Sequence, residues 1–294
     1  MLNSKLDKWN RKMLVKELVN KVKSELKSLF SERELENHLA ILMDFYLGYS
    51  RSQIVINQQV EVGAEQLAKV LQAVEELKLH KPIDYITHEN IFYGRAFYVD
   101  ESVLIPRSET EELVLLVLES EKDTEISMFE IGTGSACIPI TIALERRYKS
   151  IAACEVSETA LAVAKRNAKV LEADVDLFLM DILTEIPKEK YDVVISNPPY
   201  VKMEELQNLD KNVIEYEPVI ALAPEGEPLT FYRRMIAIAP QMLKPGGRFY
   251  WEIHEDLGKE VVELLEKDDF IEIELIQDLY ERDRFVKAVY NPKP

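Results

Sequence analysis

The stretch Val193–Tyr200, with the sequence VVISNPPY, decides the fold because it begins as a buried strand and then has to leave the sheet. The apolar run Val193–Ile195 is typical of a buried strand. The two prolines that follow lack the backbone N–H that a central strand needs, so the strand must end before them. We therefore expect Asn197 and Tyr200 at the carboxyl end of this strand, where ligands bind in open α/β sheets.

The last four residues of this stretch, the tetrad Asn197–Tyr200, suit one chemical task, which is to hold a planar amino group. Such a nitrogen is a poor nucleophile because its lone pair is delocalised. The side-chain oxygen of Asn197 and the backbone carbonyl of Pro198 can each accept one of its hydrogens. Pro198 and Pro199 fix both acceptors before the substrate arrives, and the ring of Tyr200 can pack on the flat face of the amide or base. A plain proline-rich loop is the less favoured interpretation, because a glycine-rich cofactor signature lies upstream.

That signature is the segment Glu130–Cys137, EIGTGSAC, which lies between a predicted strand starting at Ser127 and a predicted helix. Glycines after a strand let the backbone approach a nucleotide closely, although two glycines alone are a weak signal. Glu130 ends the first strand and Glu155 ends the next one, where an acid can hold ribose hydroxyls. Cys137 stands in place of the third glycine of a dinucleotide fingerprint. An acid at the tip of the first strand also suits a cofactor with a cationic amino-acid tail, so the pattern favours S-adenosylmethionine over NAD.

A third predicted strand, Leu177–Met180, ends at Asp181 and Ile182. These two side chains can take the amino group and the face of an adenine. An Asp at a strand end is ordinary by itself. Together with Glu130 and Glu155 it favours cofactor binding.

Composition limits the possible functions. The 294 residues carry a net charge of −17 and are 47% hydrophobic, which suffices for one large or two ordinary domains. An acidic surface disfavours nucleic-acid binding and suits a basic protein partner. The two cysteines show no pattern and the start MLNSKLD does not resemble a signal peptide, so we expect a cytoplasmic protein with no membrane segment. His254 has no second histidine at helical spacing, so we predict no metal site.

The sequence before the glycine loop, as we call the glycine-rich segment Glu130–Cys137, predicts a helical lobe and a linker. Apolar spacing predicts helices from about residue 11 to residue 80, with one stripe reaching Leu29 and Phe30. Ser31 and Glu34 form a predicted capping box, and the third helix should cover about 64–77. Residues 82–86 are expected to be extended, ahead of a β-hairpin at residues 92–99. We therefore predict a recognition domain at 1–81, a hairpin linker at 82–105 and a catalytic domain at 106–294.

Two residues at the start of the predicted catalytic domain carry local expectations. Ser108 is a reasonable N-cap for the helix that follows it. Arg107 is open between two roles: it can pair with Glu109 or Glu111, or it can face the substrate.

Several motifs together resemble the HemK/PrmC family, the peptide chain release factor glutamine N5-methyltransferases, which are class I S-adenosylmethionine-dependent enzymes. The motifs are Phe92-Tyr93-Gly94, Ile105-Pro106-Arg107, Glu109-Thr110-Glu111, Glu130 to Ser135, Ser196 to Tyr200, Glu217-Pro218 with Ala221-Leu222, and Arg282-Asp283-Arg284. The resemblance covers nearly the whole chain. It implies an α/β fold, with a Rossmann-like methyltransferase domain built on a mixed seven-stranded sheet and a small N-terminal helical domain.

The departures from the family pattern are mild. Ser108 stands where a second proline is usual, Ala136 where a third glycine is usual, and His254 where a glycine is usual. Glu130 and Glu155 stand where Asp is commoner, so each carboxylate lies about one methylene further out.

The resemblance implies a substrate and a set of site residues. The substrate is the glutamine of the Gly-Gly-Gln loop in class 1 release factors, and the product of the cofactor is S-adenosylhomocysteine. Asn197 and Pro198 would hold the glutamine amide, with Pro199 and Tyr200 against it. The implied cofactor residues, with Glu130 added from its position, are Gly132, Thr133, Gly134, Ser135, Ala136, Glu155, Asp181, Ile182 and Asn197.

Other functions use the same tetrad. A glutamine methyltransferase acting on a ribosomal protein would share it, and so would an adenine N6-methyltransferase acting on nucleic acid. The acidic charge argues against the latter, which must grip phosphates. A non-catalytic cofactor-binding protein would be marked by an eroded tetrad or glycine loop, and both are intact here.

Overall fold

The computed structural model describes residues 13–293 of the chain, and these divide into two compact units. The first contains the described residues up to Thr87 together with Lys211–Tyr216, and the second contains the rest. The domain boundaries predicted from the sequence stay predictions. Every helix between residues 13 and 293 is too short or too polar to cross a lipid bilayer.

The first unit is mainly helical. Its elements are β1 (Met13–Leu14), α1 (Val15–Leu26), α2 (Glu32–Leu47), α3 (Arg51–Ile56), β2 (Glu61–Val62), α4 (Ala64–Lys78), α5 (Ile83–Thr87) and α9 (Lys211–Tyr216). The capping box at the start of α2 is confirmed: Ser31 Oγ accepts from Glu34 N at 3.3 Å, and Glu34 Oε2 accepts from Ser31 N at 2.8 Å. Gly48 ends the helix with φ +69°, which a glycine adopts without strain.

Three local expectations for this unit were wrong. Helix α1 ends at Leu26, and Leu29 beyond it is 39% exposed, so the apolar stripe is shorter than predicted. Residues 82–86 are not extended, because Ile83–Thr87 forms a helical turn in which Tyr85 N and Ile86 N both donate to Pro82 O at 3.1 Å. A short ladder between β1 and β2 was not expected from the helical spacing.

The second unit is a sheet with helices on both faces. Its first strands, β3 (Asn90–Phe92) and β4 (Arg95–Phe97), form the predicted hairpin. The main sheet has seven strands in the order β10, β11, β9, β8, β5, β6, β7 among the described residues. Their bounds are β5 (Ser127–Ile131), β6 (Ser150–Glu155), β7 (Asp176–Leu179), β8 (Tyr191–Ser196), β9 (Leu243–Glu252), β10 (Phe270–Gln277) and β11 (Asp283–Tyr290).

Strands β7, β6, β5, β8 and β9 run parallel, while β11 is antiparallel to both of its neighbours. The direction of winding changes between β5 and β8, and this topological switch point is where such sheets bind ligands. The mixed seven-stranded sheet predicted from the sequence is confirmed.

Hydrophobic clusters cover the two faces of the sheet. Successive strand residues point to opposite sides, so Met128 of β5 belongs to one cluster and Phe129 to the other. The helices of this unit are α6 (Ser108–Ser120), α7 (Cys137–Glu145), α8 (Glu158–Val170), α10 (Val219–Leu222), α11 (Thr230–Met242) and α12 (Gly258–Glu266). A short 3-10 turn covers Leu206–Asn208.

The start of α6 differs from the sequence prediction by one residue. Arg107 is the N-cap, with extended backbone angles, and Ser108 is the first helical residue. The hydroxyl of Ser108 donates to Glu109 Oε2 at 3.0 Å and caps no backbone N–H. The shift places Thr110 in the first turn, where its buried side chain reaches β9.

Candidate active site

Strand register brings three polar residues and the first glycine of the loop to one edge of the sheet. Ile131 of β5 lies level with Ser196 of β8 and with Cys154 of β6. The next residues along these strands are therefore Gly132, Asn197 and Glu155, which lie side by side. Glu155 is the last residue of β6, whereas Gly132 and Asn197 come directly after the ends of their strands. Ser196 is in turn level with Trp251 of β9, which adds Glu252 to the same row.

The glycine loop folds back on the sheet. Gly132 N and Thr133 N donate to Cys154 O at 3.0 and 3.1 Å. Gly132 and Gly134 have φ of +73° and +54°, and an added Cβ at either would meet open space, so a ligand can approach their backbone. The buried Ala136, at φ +62°, adopts a left-handed conformation unusual for a residue with a side chain.

The remaining loop residues are fixed by burial and by a hydrogen bond from helix α8. Thr133 and Ser135 are both buried, and Asn167 Nδ2 donates to Ser135 O at 2.9 Å. This bond anchors the loop to α8, so its shape is set before any ligand binds.

Glu130 lies directly beneath the loop and is only 3% exposed. Its carboxyl group accepts a short hydrogen bond from Thr133 Oγ1. Burial raises the pKa of Glu130 to about 8, with the Thr133 bond opposing the rise and the nearby Glu155 adding to it. No cation pairs with this carboxyl group among the described contacts, so its chemistry suits a cationic ligand.

Glu155 is engaged by the backbone. Its Oε2 accepts from Gly134 N at 2.8 Å, and its Oε1 accepts from Val156 N at 2.9 Å and Ser157 N at 3.1 Å. Ionised carboxylates offer about four acceptor positions, so these three bonds leave room for one further donor. A ribose contact from Glu155 stays a prediction.

Asp181 likewise organises its own turn. Its two carboxylate oxygens accept from Leu183 N at 2.9 Å and from Thr184 Oγ1 at 3.0 Å. Ile182 is buried in the hydrophobic cluster that contains Phe129. Both residues follow β7, which is separated from the tetrad's strand β8 by β5 and β6, and their adenine contact stays a prediction.

The tetrad is joined to two residues that motif reasoning gave no role. Asn197 Nδ2 donates to Thr110 Oγ1 at 3.2 Å, and Tyr200 OH donates to Glu252 Oε1 at 3.1 Å. Thr110 Oγ1 donates in turn to Glu252 Oε2 at 2.8 Å. Pro198 is buried and Pro199 is half-buried, so the turn between the two side chains is held by packing.

Burial dominates the acid–base properties of this cluster. It raises the pKa of Glu252 to about 7, against the lowering effect of the bonds from Thr110 and Tyr200 and of the Arg284 charge. Burial, with the Glu252 charge, also raises the pKa of the Tyr200 phenol, so this hydroxyl stays protonated and serves as a donor.

Arg107 pairs with a buried acid, and its alternative role of facing the substrate stays a prediction. Its Nη2 lies 2.6 Å from Glu217 Oε1, and Glu217 Oε2 accepts from Ile105 N at 3.2 Å. The sequence interpretation offered Glu109 or Glu111 as partners, and those pairings were wrong. The Glu217 side chain is almost fully buried, while that of Arg107 is 37% exposed.

Sequence reasoning missed Thr110, Glu252 and Glu217 as site residues. A signal for Glu252 existed, since a lone acid ends the apolar run Phe249–Trp251, just as Glu130 and Glu155 end theirs. Thr110 and Glu217 do not end an apolar run, and their partners Glu252 and Arg107 lie 142 and 110 positions away in the sequence. Between residues 13 and 293, no group of three or more His, Cys, Asp or Glu side chains is placed to hold a metal ion.

Two family models match the chain. Residues 110–279 match the "Methyltransferase small domain", and residues 17–87 match the "PrmC N-terminal domain". Among solved structures, a methyltransferase from Pyrococcus furiosus aligns with a TM-score of 0.52 at 16% identity over 78% of this chain and 100% of that one. The catalytic domain of hMettl16 aligns with a TM-score of 0.54 at 16% identity, covering 78% of this chain and 82% of that one. At these identities the structures show a shared fold only.

Curated relatives are closer in sequence. A release factor glutamine methyltransferase from Flavobacterium psychrophilum is 38% identical over 94% of this chain and 99% of its own length. Proteins of the same name from Bacteroides thetaiotaomicron and Bacillus subtilis are 32% and 35% identical over 91% and 86% of this chain, and over 97% and 91% of their own lengths. On its sheet order, its glycine loop and tetrad, and these relatives, the chain belongs to the release factor glutamine methyltransferase family.

Proposed function

We propose that this chain transfers the methyl group of S-adenosylmethionine to the side-chain amide N5 of the glutamine in the Gly-Gly-Gln motif of class 1 peptide chain release factors. The observation that carries the proposal is the row Glu155, Gly132, Asn197 and Glu252 at the switch point of the sheet. This row sets the amide-holding tetrad beside the glycine loop.

The residues present fit the cofactor. The open backbone around Gly132 and Gly134 can take the amino-acid tail, and Glu130 is a buried acid without a described cationic partner beneath that loop. We assign Glu130 to the ammonium group, Glu155 to the ribose hydroxyls, and Asp181 with Ile182 to the adenine. The segment Gly132–Ala136 and Asn197 complete the lining. When bound, S-adenosylmethionine supplies an electrophilic methyl group on a sulfonium.

The tetrad acts on the substrate nitrogen. Asn197 Oδ1 and the Pro198 carbonyl accept its two hydrogens, which fixes the NH2 plane and turns the lone pair toward the methyl group. The nitrogen becomes more acidic as it bonds to carbon, so both hydrogen bonds tighten in the transition state. Transfer would form the N–C bond at this held nitrogen, with S-adenosylhomocysteine as the leaving group and one amide proton released to solvent.

The positions of the acids are consistent with this step. The sulfonium loses its charge during transfer, so a carboxylate at the sulfur would stabilise the ground state more than the transition state. We place the carboxylates of Glu130 and Glu155 at the tail and the ribose for that reason. Tyr200 is a neutral donor held by Glu252, and its ring is left to pack on the flat amide.

The protein substrate is assigned on the names of the relatives and on the charge. A net charge of −17 suits a basic partner surface. We assign substrate selection to the domain predicted at residues 1–81, and we place the reaction in the cytoplasm on the grounds of the two free buried cysteines.

The test is mass spectrometry of a class 1 release factor after incubation with S-adenosylmethionine and the full chain. We expect a single added methyl on the glutamine of the Gly-Gly-Gln peptide, and none on a release factor with that glutamine changed to alanine. Ribosomal proteins and duplex DNA are incubated in parallel. Methylation of either of these, with an unmodified release factor, would overturn the assignment.

A further inference from the structure

A buried chain of hydrogen bonds links the tetrad to helix α6 and strand β9. It runs from Asn197 Nδ2 through Thr110 Oγ1 to Glu252, whose other oxygen accepts from Tyr200 OH. Thr110 and Glu252 are 2% exposed each, so water does not substitute for these bonds. The two residues are 142 positions apart in the sequence. The reaction outlined above gives no role to Thr110, and it uses Glu252 only as the partner of Tyr200.

The direction of these bonds follows from the donors available. An ionised carboxylate only accepts, so both the Thr110 and the Tyr200 hydroxyl protons must point at Glu252. The Thr110 oxygen has then spent its single proton and can only accept from Asn197. Because Thr110 Oγ1 accepts this bond, the Asn197 amide must direct its NH2 group toward Thr110. Its Oδ1 is then left to accept from the substrate.

We propose that Thr110 and Glu252 are positioning residues that fix which way the Asn197 amide faces, and thereby keep its oxygen, rather than its nitrogen, toward the substrate glutamine. This inference rests on the proposed function for its effect on turnover. The orientation itself depends only on the contacts within the free protein.

Fixing the amide matters because the two halves of an Asn side chain are nearly equal in shape and opposite in hydrogen bonding. With the amide reversed, an NH2 group would face the NH2 of the substrate, and two donors cannot bond. Losing one acceptor on the reacting nitrogen should cost a factor of about 10²–10³ when the amide is always wrong. Partial disorder of the amide costs less.

The charge on Glu252 controls which group donates and which accepts in each of these hydrogen bonds. A protonated Glu252 can donate to Thr110 Oγ1, which frees the hydroxyl proton to point at Asn197 and removes the preference for its NH2 half. The neighbouring groups that influence this ionisation are Glu109 from α6, Cys137 from α7, the Tyr200 phenol, Tyr232 from α11 and Arg284 from β11. Of these, Arg284 favours the carboxylate and Glu109 opposes it.

The experiment compares Thr110→Val, Thr110→Ser and Glu252→Gln. Valine keeps the shape of threonine and deletes the hydroxyl, whereas serine keeps the hydroxyl. Thr141→Val is the matched control, because Thr141 Oγ1 is buried in the same unit with no hydrogen-bond partner in the described structure. The first readout is the side-chain ¹⁵NH2 signal of Asn197, assigned by its loss in Asn197→Ala.

We expect this signal to move in Thr110→Val, to stay close to wild type in Thr110→Ser and Thr141→Val, and to titrate near pH 7 in wild type but not in Glu252→Gln. An Asn197 signal that is unchanged in Thr110→Val would overturn the proposal without reference to any substrate.

The second readout is methylation of the release factor. Thr110→Val and Glu252→Gln should each lower kcat by about 10–100-fold with little change in KM or in S-adenosylhomocysteine affinity, and Thr110→Ser should recover most of the loss. Equal losses in Thr110→Val and Thr110→Ser would refute a role for the hydroxyl. A wild-type enzyme that leaves the release factor unmodified would refute the proposed function instead, while the Asn197 signal would still decide the orientation.

Discussion

The buried acid beneath the glycine loop ties cofactor affinity to pH. Glu130 has an ordinary pKa of 4.5 that burial raises to about 8 in the folded protein. In the free protein it is therefore mostly protonated at neutral pH. If it receives the ammonium group of the cofactor, binding requires the carboxylate form. The perturbations are a change of pH and the substitution Glu130→Gln.

The size of the effect follows from the raised pKa. At pH 7, ionising a group with a pKa of about 8 costs about 1.4 kcal/mol, which is a factor of ten in affinity. Below its pKa, Glu130 is mainly protonated and cannot pair with a cation, so the affinity for the cofactor should rise with pH. The Kd should therefore fall about tenfold for each pH unit gained below 8 and level off above it.

The assay is isothermal titration calorimetry with S-adenosylhomocysteine between pH 5.5 and 7, where the ligand ammonium stays protonated. Two buffers of different ionisation enthalpy report the proton balance, and about 0.9 proton should be released at pH 7. Glu130→Gln should bind more weakly at pH 7 and lose the dependence on pH. A wild-type Kd that is flat over this range, or a slope that persists in Glu130→Gln, would refute the reasoning.

Two further predictions concern stability, each measured by urea unfolding. Arg107→Ala leaves the buried Glu217 with fewer partners and should lower the free energy of unfolding by about 1–3 kcal/mol, whereas Arg233→Ala breaks an exposed pair and should change it by less than about 0.5 kcal/mol. Equal effects would contradict the structural role of Arg107. The second prediction concerns Glu172, which follows α8 with φ +55°, a left-handed conformation that strains a residue with a side chain. Glu172→Gly should raise the free energy of unfolding by about 0.5–1 kcal/mol because it relieves this strain, whereas Glu172→Ala keeps the strain and should not raise it.

Local signals predicted most of the fold. The glycine loop, the tetrad and the apolar runs located the central strands along the chain, and both the sheet class and the family resemblance are confirmed. The capping box of Ser31 and Glu34 marked a helix start correctly because all of its contacts lie within one turn. Such features are read from neighbouring residues alone.

Features set by distant residues were not predictable. Residues 82–86 were assigned as extended on composition, but a proline at a helix start pre-sets the first turn and the segment is helical. Arg107 pairs with Glu217, which is 110 positions away, and not with Glu109 or Glu111. Thr110 contacts Glu252 because α6 packs against β9. The roles of the individual cofactor residues stay predictions.

The central claim is that Asn197 supplies an oxygen acceptor to the reacting amide nitrogen, and one measurement tests it most directly. Single-turnover methylation of the release factor is followed by rapid quench in Asn197→Ala, with the exposed Asn291→Ala as the control, alongside the Kd for S-adenosylhomocysteine. We expect Asn197→Ala to slow the methyl-transfer step by about 10²–10³ while its Kd stays within about threefold of wild type, and Asn291→Ala to change neither. A transfer rate in Asn197→Ala close to that of the wild-type enzyme would contradict it.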